Sequence, residues 1–253
     1  MSIKDRIRAL QVHFPGLLET KCRMQRGVRQ LFRLPFEADF KALHMLPPAP
    51  PGQVHLDIGA NRGQSIDAIR MLRPDAVIHA FEPNPMLAQR LDRTHQPGDQ
   101  LIIHPCGLDD KHGQFDLHIP YYNGFMFDGL ASFDREAAAG WLPRFLPGFD
   151  AAKQEIRTVT CTVLPLDALA LAPCFIKIDV QGLELRVLRG SMSTIRRHQP
   201  ALLIETPSMD IISLLGAAGY QRCAWTGRGF KRGCDGAINT FFLMDHHLTS
   251  DRN

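Results

Sequence analysis

The stretch that decides the fold reads Val54-His55-Leu56-Asp57-Ile58-Gly59-Ala60-Asn61-Arg62-Gly63-Gln64-Ser65. Its first five residues predict a buried strand that carries a carboxylate near its end. The two glycines predict a turn, because glycine allows the backbone to come close to a ligand. A helical pattern begins at Gln64. Since open α/β sheets bind ligands at the carboxyl ends of their strands, we expect a ligand site at this turn.

The rest of the chain continues the alternation of strand-like and helix-like segments. This order predicts βαβ units, a mainly parallel sheet and helices on both of its faces. A short Gly-rich connection without a helical pattern precedes the last strand-like run, so we expect that strand to be antiparallel. The strand-like runs are residues 54–58, 76–81, 101–106, 174–180, 201–205, 220–225 and 238–244, and the predicted helices are residues 64–72, 85–95, 183–198 and 208–218.

The composition is that of a globular protein with one main domain. The 253 residues are 45% hydrophobic and 22% charged, which excludes a disordered or collagen-like chain. The six cysteines form no C-x-x-C pair and have no metal-ligand spacing. No apolar run approaches the length of a membrane span, and no signal-peptide pattern is present. We therefore expect a cytoplasmic protein with reduced cysteines.

The first 46 residues have helical periodicity and a strong positive charge. Residues 1–33 carry eight basic and two acidic side chains, so this arm has a charge of +6 and the remaining 220 residues sum to −3. Such an arm is typical of peripheral contact with a membrane or an acidic partner, and a solvated helix face is an equal alternative. Residues 47–52 contain four prolines and predict a stiff linker to the main domain, residues 53–247.

An aromatic insertion interrupts the alternation at about residues 120–150. It holds Tyr121, Tyr122, Phe125, Phe127, Phe133, Trp141, Phe145 and Phe149. A long connection of this kind forms a lid or binding loop, or packs as a loop that supplies aromatic side chains to a core. Because aromatic faces stack on sugars and planar rings, the first interpretation favours a ring-bearing ligand.

Two carboxylates indicate which ligand the glycine turn binds. The turn reads G-x-x-x-G rather than the dinucleotide fingerprint G-x-G-x-x-G, and Asp57 would repel a pyrophosphate. An acid at this place suits a cationic ligand, and S-adenosylmethionine carries both a sulfonium and an amino group. Glu82 closes the second strand, 19 residues after Gly63, where a carboxylate can accept hydrogen bonds from both ribose hydroxyls.

Three ordered motifs resemble the FkbM family of S-adenosylmethionine-dependent methyltransferases. They are Asp57-Ile58-Gly59-Ala60-Asn61-Arg62-Gly63, Phe81-Glu82-Pro83-Asn84-Pro85 and residues 175–190, which read FIKIDVQGLELRVLRG. The resemblance implies a Rossmann-like class I methyltransferase sheet of seven strands. It also implies that the first motif holds the methionine end of the cofactor, that Glu82 holds the ribose and that residues 106–109 border the adenine. The predicted cofactor-binding residues are Asp57, Gly59, Asn61, Gly63, Ser65, Glu82, Asn84, Cys106, Gly107 and Asp179.

The third motif supplies the candidate catalytic residues. Methyl transfer to a hydroxyl is an in-line displacement that benefits from a base. Asp179 is the predicted base, and Lys177 lies on the same side of the strand, where it would keep Asp179 ionised or orient it. Glu205, which closes the next strand, is a second carboxylate at the same edge. A purely structural Lys177–Asp179 salt bridge is the alternative, and we predict no bound metal.

The chain departs from the family pattern at Gln181, where these proteins commonly have Glu. Glutamine keeps the hydrogen-bonding reach but not the charge, so no carboxylate function is expected at this position.

The resemblance implies methyl transfer to oxygen, with sugars, polyketides or other secondary metabolites as acceptors. A nicotinamide oxidoreductase is disfavoured, because the chain lacks G-x-G-x-x-G and a Tyr-x-x-x-Lys pair. An N-methyltransferase is disfavoured because residues 179–182 read DVQG rather than Asn/Asp-Pro-Pro-aromatic. A third interpretation is an assembly protein that binds the cofactor without catalysis. A small molecule is the expected partner and nucleic acid is not, and homo-oligomerisation is left open.

Overall fold

The computed structural model describes residues 34–95 and 100–248, together with Met24, Gly27, Arg29 and Phe32. The prediction of a basic helical arm therefore falls largely outside the described residues. The chain divides into two compact units. The larger unit consists of residues 33–113 and 162–253, and the smaller of residues 1–32 and 114–161.

In chain order, the helices and strands are β1 (Val54–Ile58), α1 (Gln64–Leu72), β2 (Ile78–Phe81), α2 (Pro85–His95), β3 (Leu101–His104), β4 (Gly107–Leu108), β5 (Gly113–Tyr122), β6 (Phe125–Met126), α3 (Arg135–Phe145), β7 (Gln154–Leu164), β8 (Pro173–Ile178), α4 (Glu184–Arg189), α5 (Met192–His198), β9 (Ala201–Glu205), α6 (Met209–Ala217), β10 (Gln221–Trp225), β11 (Phe230–Arg232), β12 (Asn239–Leu243) and α7 (Asp245–Leu248). Short 3-10 helices cover Ala38–Met45, Asp128–Leu130, Ala151–Lys153 and Leu166–Ala168.

The larger unit is built on an eight-stranded sheet with the order β11-β10-β12-β9-β8-β1-β2-β3. Strands β3, β2, β1, β8 and β9 pair in parallel, and β12 runs antiparallel to both β9 and β10. The predicted α/β class and the antiparallel last strand are confirmed. The predicted number of seven strands is wrong, because β11 adds an eighth at the edge, antiparallel to β10.

The core covers both faces of this sheet. On one face, Ile66 and Ile69 of α1 pack with Phe40 and Leu43, and all four are at most 1% exposed. Residues 38–46, which the sequence places in the arm, thus contribute to the main core. The Arg73 guanidinium donates hydrogen bonds to the carbonyl oxygens of Leu43 and Leu46, which fixes this segment against the end of α1.

The predicted helix over residues 183–198 is divided into α4 and α5. The division falls at Gly190, where an added Cβ would lie 2.0 Å from the backbone oxygen of Asp109. The chain must therefore pass another loop closely at this point, and the helix is interrupted. None of the described helices has the length and apolar character needed to cross a bilayer.

The aromatic insertion lies in the smaller unit and has more regular structure than its sequence indicates. Residues 120–150 contain the end of β5, the hairpin strand β6 and helix α3. Strands β5 and β6 belong to a second sheet of order β4-β7-β5-β6. Tyr122 is fully buried, and its hydroxyl accepts a hydrogen bond from the Asp150 backbone N–H at 3.0 Å. Trp141 and Phe145 on α3 are exposed, with ring centroids 4.9 Å apart. Only part of the aromatic set is therefore core.

Candidate functional site

The carboxyl ends of β1, β2, β8 and β9 lie side by side at one edge of the sheet. Asp57 is in register with Lys177 on β8, and the pairing of β8 with β9 brings Asp179 and Glu205 to neighbouring strand ends. Asn61, Gln181 and Thr206 follow these strands with φ angles of 48°, 55° and 41°. Such left-handed backbone is uncommon outside glycine and is concentrated at functional sites.

The two glycines of the turn are required by close packing. Gly59 has φ +83°, and an added Cβ would lie 1.8 Å from the backbone oxygen of Asp179. Gly63 has φ +85° and precedes α1, and its added Cβ would lie 2.2 Å from Cε1 of His95. Both glycines thus have a structural role, and their contact with a cofactor stays a prediction.

Asp57 is a fully buried carboxylate at the end of β1. Among the described residues, neither of its oxygens has a hydrogen-bond partner of normal geometry, and Oδ1 lies 3.6 Å from Nζ of Lys177. Burial raises the pKa of Asp57, although Lys177 opposes the shift. Asn61 Oδ1 is also buried, and none of the described residues donates a hydrogen bond to it. These three acceptor oxygens fit a ligand that brings N–H donors and positive charge.

Glu82 connects the glycine turn to the end of β2 by hydrogen bonds. Its Oε2 accepts a hydrogen bond from the Asn61 backbone N–H at 2.7 Å, and its Oε1 accepts one from the Asn84 backbone N–H at 2.9 Å. Asn84 is 1% exposed, and its Oδ1 accepts a hydrogen bond from Met86 N–H in the first turn of α2.

The remaining predicted cofactor residues lie at two places on the same edge. Ser65, in the first turn of α1, is 8% exposed, and its hydroxyl helps to lower the pKa of Asp57. Gly107 packs against the loop that holds Glu82, since an added Cβ would lie 3.4 Å from Cβ of Pro83. Cys106 precedes it, and burial raises the pKa of its thiol, which keeps the thiol neutral.

Lys177 is buried and links three chain segments. Its Nζ donates to the Gly59 carbonyl oxygen at 3.2 Å and to Asp179 Oδ2 at 3.2 Å. Burial alone would lower the pKa of Lys177, but the nearby carboxylates, led by Asp57, raise it, so the side chain is an ammonium ion. The Lys177–Asp179 salt bridge considered from the sequence is therefore present.

Asp179 and Glu205 form a carboxyl pair. Asp179 Oδ1 accepts a hydrogen bond from Gln181 Nε2 at 3.1 Å, and Glu205 emerges beside Asp179 because Ile178 and Ile204 are partners in the pairing of β8 with β9. Burial opposes ionisation of Asp179, but Lys177 and the hydrogen bonds lower its pKa. Asp179 raises the pKa of Glu205 to about 7, with burial as the next cause. Of the two carboxyl groups, Glu205 is thus the one that binds a proton at the higher pH.

Two residues at this edge, Glu37 and Asn239, are not predicted from the sequence as site residues. Asn239, in register with Glu205, donates hydrogen bonds from Nδ2 to Glu37 Oε2 at 2.7 Å and to Asp39 Oδ2 at 3.2 Å. Glu37 and Asn239 are 202 positions apart and belong to no motif.

Within the described part of the chain, no three His, Cys, Asp or Glu side chains could hold a metal ion.

A family model described as the methyltransferase FkbM domain matches residues 57–222. The chain belongs to the FkbM methyltransferase family. This confirms the family resemblance seen in the three motifs. The FkbM match includes the ends of β1, β2, β8 and β9, but neither Glu37 nor Asn239.

A curated relative and two solved structures are similar to this FkbM chain. The 2-O-methyltransferase NoeI of Sinorhizobium fredii is 25% identical over 170 residues, which cover 58% of this chain and 60% of the relative. Methyltransferase FkbM from Methylobacillus flagellatus aligns with 20% identity and a TM-score of 0.47, over 76% of this chain and 44% of that one. Precorrin-6y C5,15-methyltransferase from Geobacter metallireducens aligns with 14% identity and a TM-score of 0.35, over 75% and 78%.

Proposed function

We propose that this chain is an S-adenosylmethionine-dependent O-methyltransferase that acts on a hydroxyl of a sugar, a polyketide or another secondary metabolite. The observation that carries the cofactor is the pair of buried acceptors at the end of β1, Asp57 and Asn61 Oδ1. Asp57 has an ion pair with Lys177 but, among the described residues, no hydrogen bond of normal geometry, and a ligand with an amino group and a positive charge would offset the cost of its burial. The name of the relative, a 2-O-methyltransferase, supports oxygen as the acceptor atom.

The residues at the sheet edge fit this cofactor. Asp57 and Asn61 would take its amino and sulfonium end, and Glu82, at the end of β2 beside the glycine turn, would accept hydrogen bonds from the ribose hydroxyls. Cys106 and Gly107 would lie beside the adenine. Bound in this way, S-adenosylmethionine supplies an activated methyl group.

The other task of the protein is to align the acceptor and remove its proton. The Asp179–Glu205 pair lies at the same edge as Asp57, and Lys177 connects the two through its contacts to both β1 and Asp179. An acceptor hydroxyl that binds at this pair would therefore be next to the cofactor end of the site. Such fixed proximity and a positioned proton acceptor are the two contributions that this displacement needs.

Transfer of a labelled methyl group tests the proposal. The full chain is incubated with methyl-labelled S-adenosylmethionine and a panel of neutral sugars, glycosides and polyketides, and products are identified by mass and fragmentation. We expect a product methylated on oxygen. A product methylated on nitrogen contradicts the acceptor assignment. Tight cofactor binding without transfer to this panel or to cell extracts supports the assembly protein instead.

We also propose that this enzyme is located in the cytoplasm. Contact of basic residues 1–33 with a membrane or an acidic partner, and homo-oligomerisation, are further proposals that sedimentation with anionic vesicles and light scattering would test.

A further inference from the structure

We infer that Glu205, rather than Asp179, takes up the proton of the acceptor, and that Gln181 and Lys177 are positioning residues that keep Asp179 ionised beside it. The inference rests on the proposed function and assigns roles to the two carboxyl groups of the same site. It differs from the sequence-based expectation, in which Asp179 is the base.

Asp179 is poorly suited to accept a proton because N–H donors hold both of its oxygens. Lys177 Nζ lies 3.2 Å from Oδ2, and Gln181 Nε2 lies 3.1 Å from Oδ1. Protonation of this carboxylate would weaken its ion pair with a buried ammonium and displace a hydrogen bond. Asp179 is therefore the member of the pair that stays ionised.

Glu205 is the member of the pair on which the shared proton lies. Ile178 and Ile204 are partners in the parallel pairing of β8 and β9, so the next residues, Asp179 and Glu205, emerge side by side. Donors already occupy both oxygens of Asp179, so a proton shared by the two neighbouring carboxyl groups binds Glu205. The resulting pKa of Glu205, about 7, is suited to a base that works near neutral pH.

The charged and polar groups around Glu205 come from four parts of the chain. Asp179 and Glu37 raise the pKa of Glu205, and Lys177 lowers it. Asn239 on β12 is uncharged and holds Glu37 and Asp39 next to Glu205. Asp57 on β1 acts through its ion pair with Lys177.

The proposed step moves one proton and one methyl group. The acceptor O–H bond breaks and its proton binds the Glu205 carboxylate, while the acceptor oxygen forms a bond to the methyl carbon. The electron pair of the breaking carbon–sulfur bond stays on sulfur. The positive charge of the sulfonium and the negative charge of the Glu205 carboxylate are therefore neutralised together. Glu205 afterwards releases the proton to water.

Gln181 offers a selective way to test these roles, because its side chain is exposed and donates to Asp179. In the Gln181→Glu variant the donor is lost and a third carboxylate is added beside the pair. Both changes favour the protonated form, so the pair should hold its shared proton to higher pH. In the Gln181→Ala variant only the donor is lost, and the shift should be smaller.

The test is a carbon-13 NMR titration of the full chain labelled at the glutamate side-chain carboxyls. We expect one resonance that titrates near pH 7, as the raised pKa of Glu205 indicates, and that disappears in Glu205→Gln. Its midpoint should rise by about one pH unit in Gln181→Glu. The matched control is Glu155→Gln, since Glu155 is exposed and pairs with Arg157 in the smaller unit. This control should not move the midpoint.

Two results would overturn the inference: a titration without any glutamate midpoint near neutral pH, or the same midpoint in Gln181→Glu as in the wild type. The second result can be measured even if the Glu205→Gln variant fails to fold, because it compares only Gln181→Glu with the wild type. Binding of S-adenosylhomocysteine to the wild type is measured separately. Loss of that binding contradicts the proposed function, whereas a missing titration contradicts only the assignment of Glu205.

Discussion

Glu82 is the residue whose replacement tests the cofactor site most simply. Glu82→Ala removes the acceptor of the Asn61 and Asn84 backbone N–H groups and the proposed partner of the ribose. A hydrogen bond to a charged group is worth about 1.5–3 kcal/mol, so we expect S-adenosylhomocysteine to bind about 10- to 100-fold more weakly. Isothermal titration calorimetry measures this difference.

The control for this prediction is Glu155→Ala in the smaller unit. Glu155 also pairs with donors, from Arg157, but its side chain is 58% exposed and it is remote in sequence from the glycine turn. The control should bind as the wild type does. An unchanged affinity in Glu82→Ala would remove Glu82 from the cofactor site.

Glu205 should make the stability of the folded chain depend on pH. Its pKa is about 7 in the folded chain, above its ordinary value of 4.5, so folding takes up a proton between these values. This stabilisation is fully present below the ordinary pKa and is lost as the pH rises through about 7. Between about pH 6 and pH 8, the melting temperature of the wild type should therefore fall more than that of Glu205→Gln. Parallel melting curves across this range would contradict the shifted pKa.

Gly59 tests whether the glycine turn is shaped by close packing. In Gly59→Ala the new methyl group would overlap the backbone oxygen of Asp179, at 1.8 Å, in addition to the strain of a left-handed φ. Gly52→Ala is a matched control, since Gly52 has a similar φ of +79° and nothing within 4 Å of the added Cβ. The control should cost about 1–2 kcal/mol in the free energy of unfolding. Denaturant unfolding should show a clearly larger loss for Gly59→Ala, and equal losses would contradict the close contact.

At the scale of elements, the segment before β1 belongs to the core of the larger unit. Removing residues 1–46 takes away Phe40, Leu43 and the carbonyl groups that bind Arg73. Burying a large apolar side chain contributes about 1.5–3 kcal/mol, so this truncation should lower the melting temperature or cause aggregation. A truncation that removes only residues 1–33 keeps these contacts and is the comparison. If both truncations melt alike, residues 38–46 do not stabilise the core.

Seven of the eight strands of the main sheet could be predicted, because each is a short apolar run next to a turn or a helical pattern. The sequence does not predict β11, since this strand has three residues, two of which are the exposed Lys231 and Arg232. No strand is predicted over β7, although most of it alternates buried or half-buried residues with exposed ones, which is the pattern of a strand. The break at Gly190 depends on the approach of Asp109, which no local pattern contains.

At the scale of the whole molecule, the order of strands explains which site residues sequence could find. Asp57, Glu82 and Asp179 each follow or close a strand of a βαβ unit, and parallel strands end at the same edge. Glu37 and Asn239 reach that edge from distant parts of the chain, and their hydrogen bond has no counterpart in any short motif. The assignment of the base likewise depends on donors and charges that only the folded chain brings together.

The central claim is that the edge formed by Asp57, Glu82 and Asp179 binds S-adenosylmethionine. Calorimetric titration of the purified full chain with S-adenosylmethionine, and with its demethylated product S-adenosylhomocysteine, tests this claim most directly. We expect both to bind at a single site with Kd in the micromolar range or tighter. If neither ligand binds to the folded wild-type chain in this range, the account of the site is contradicted.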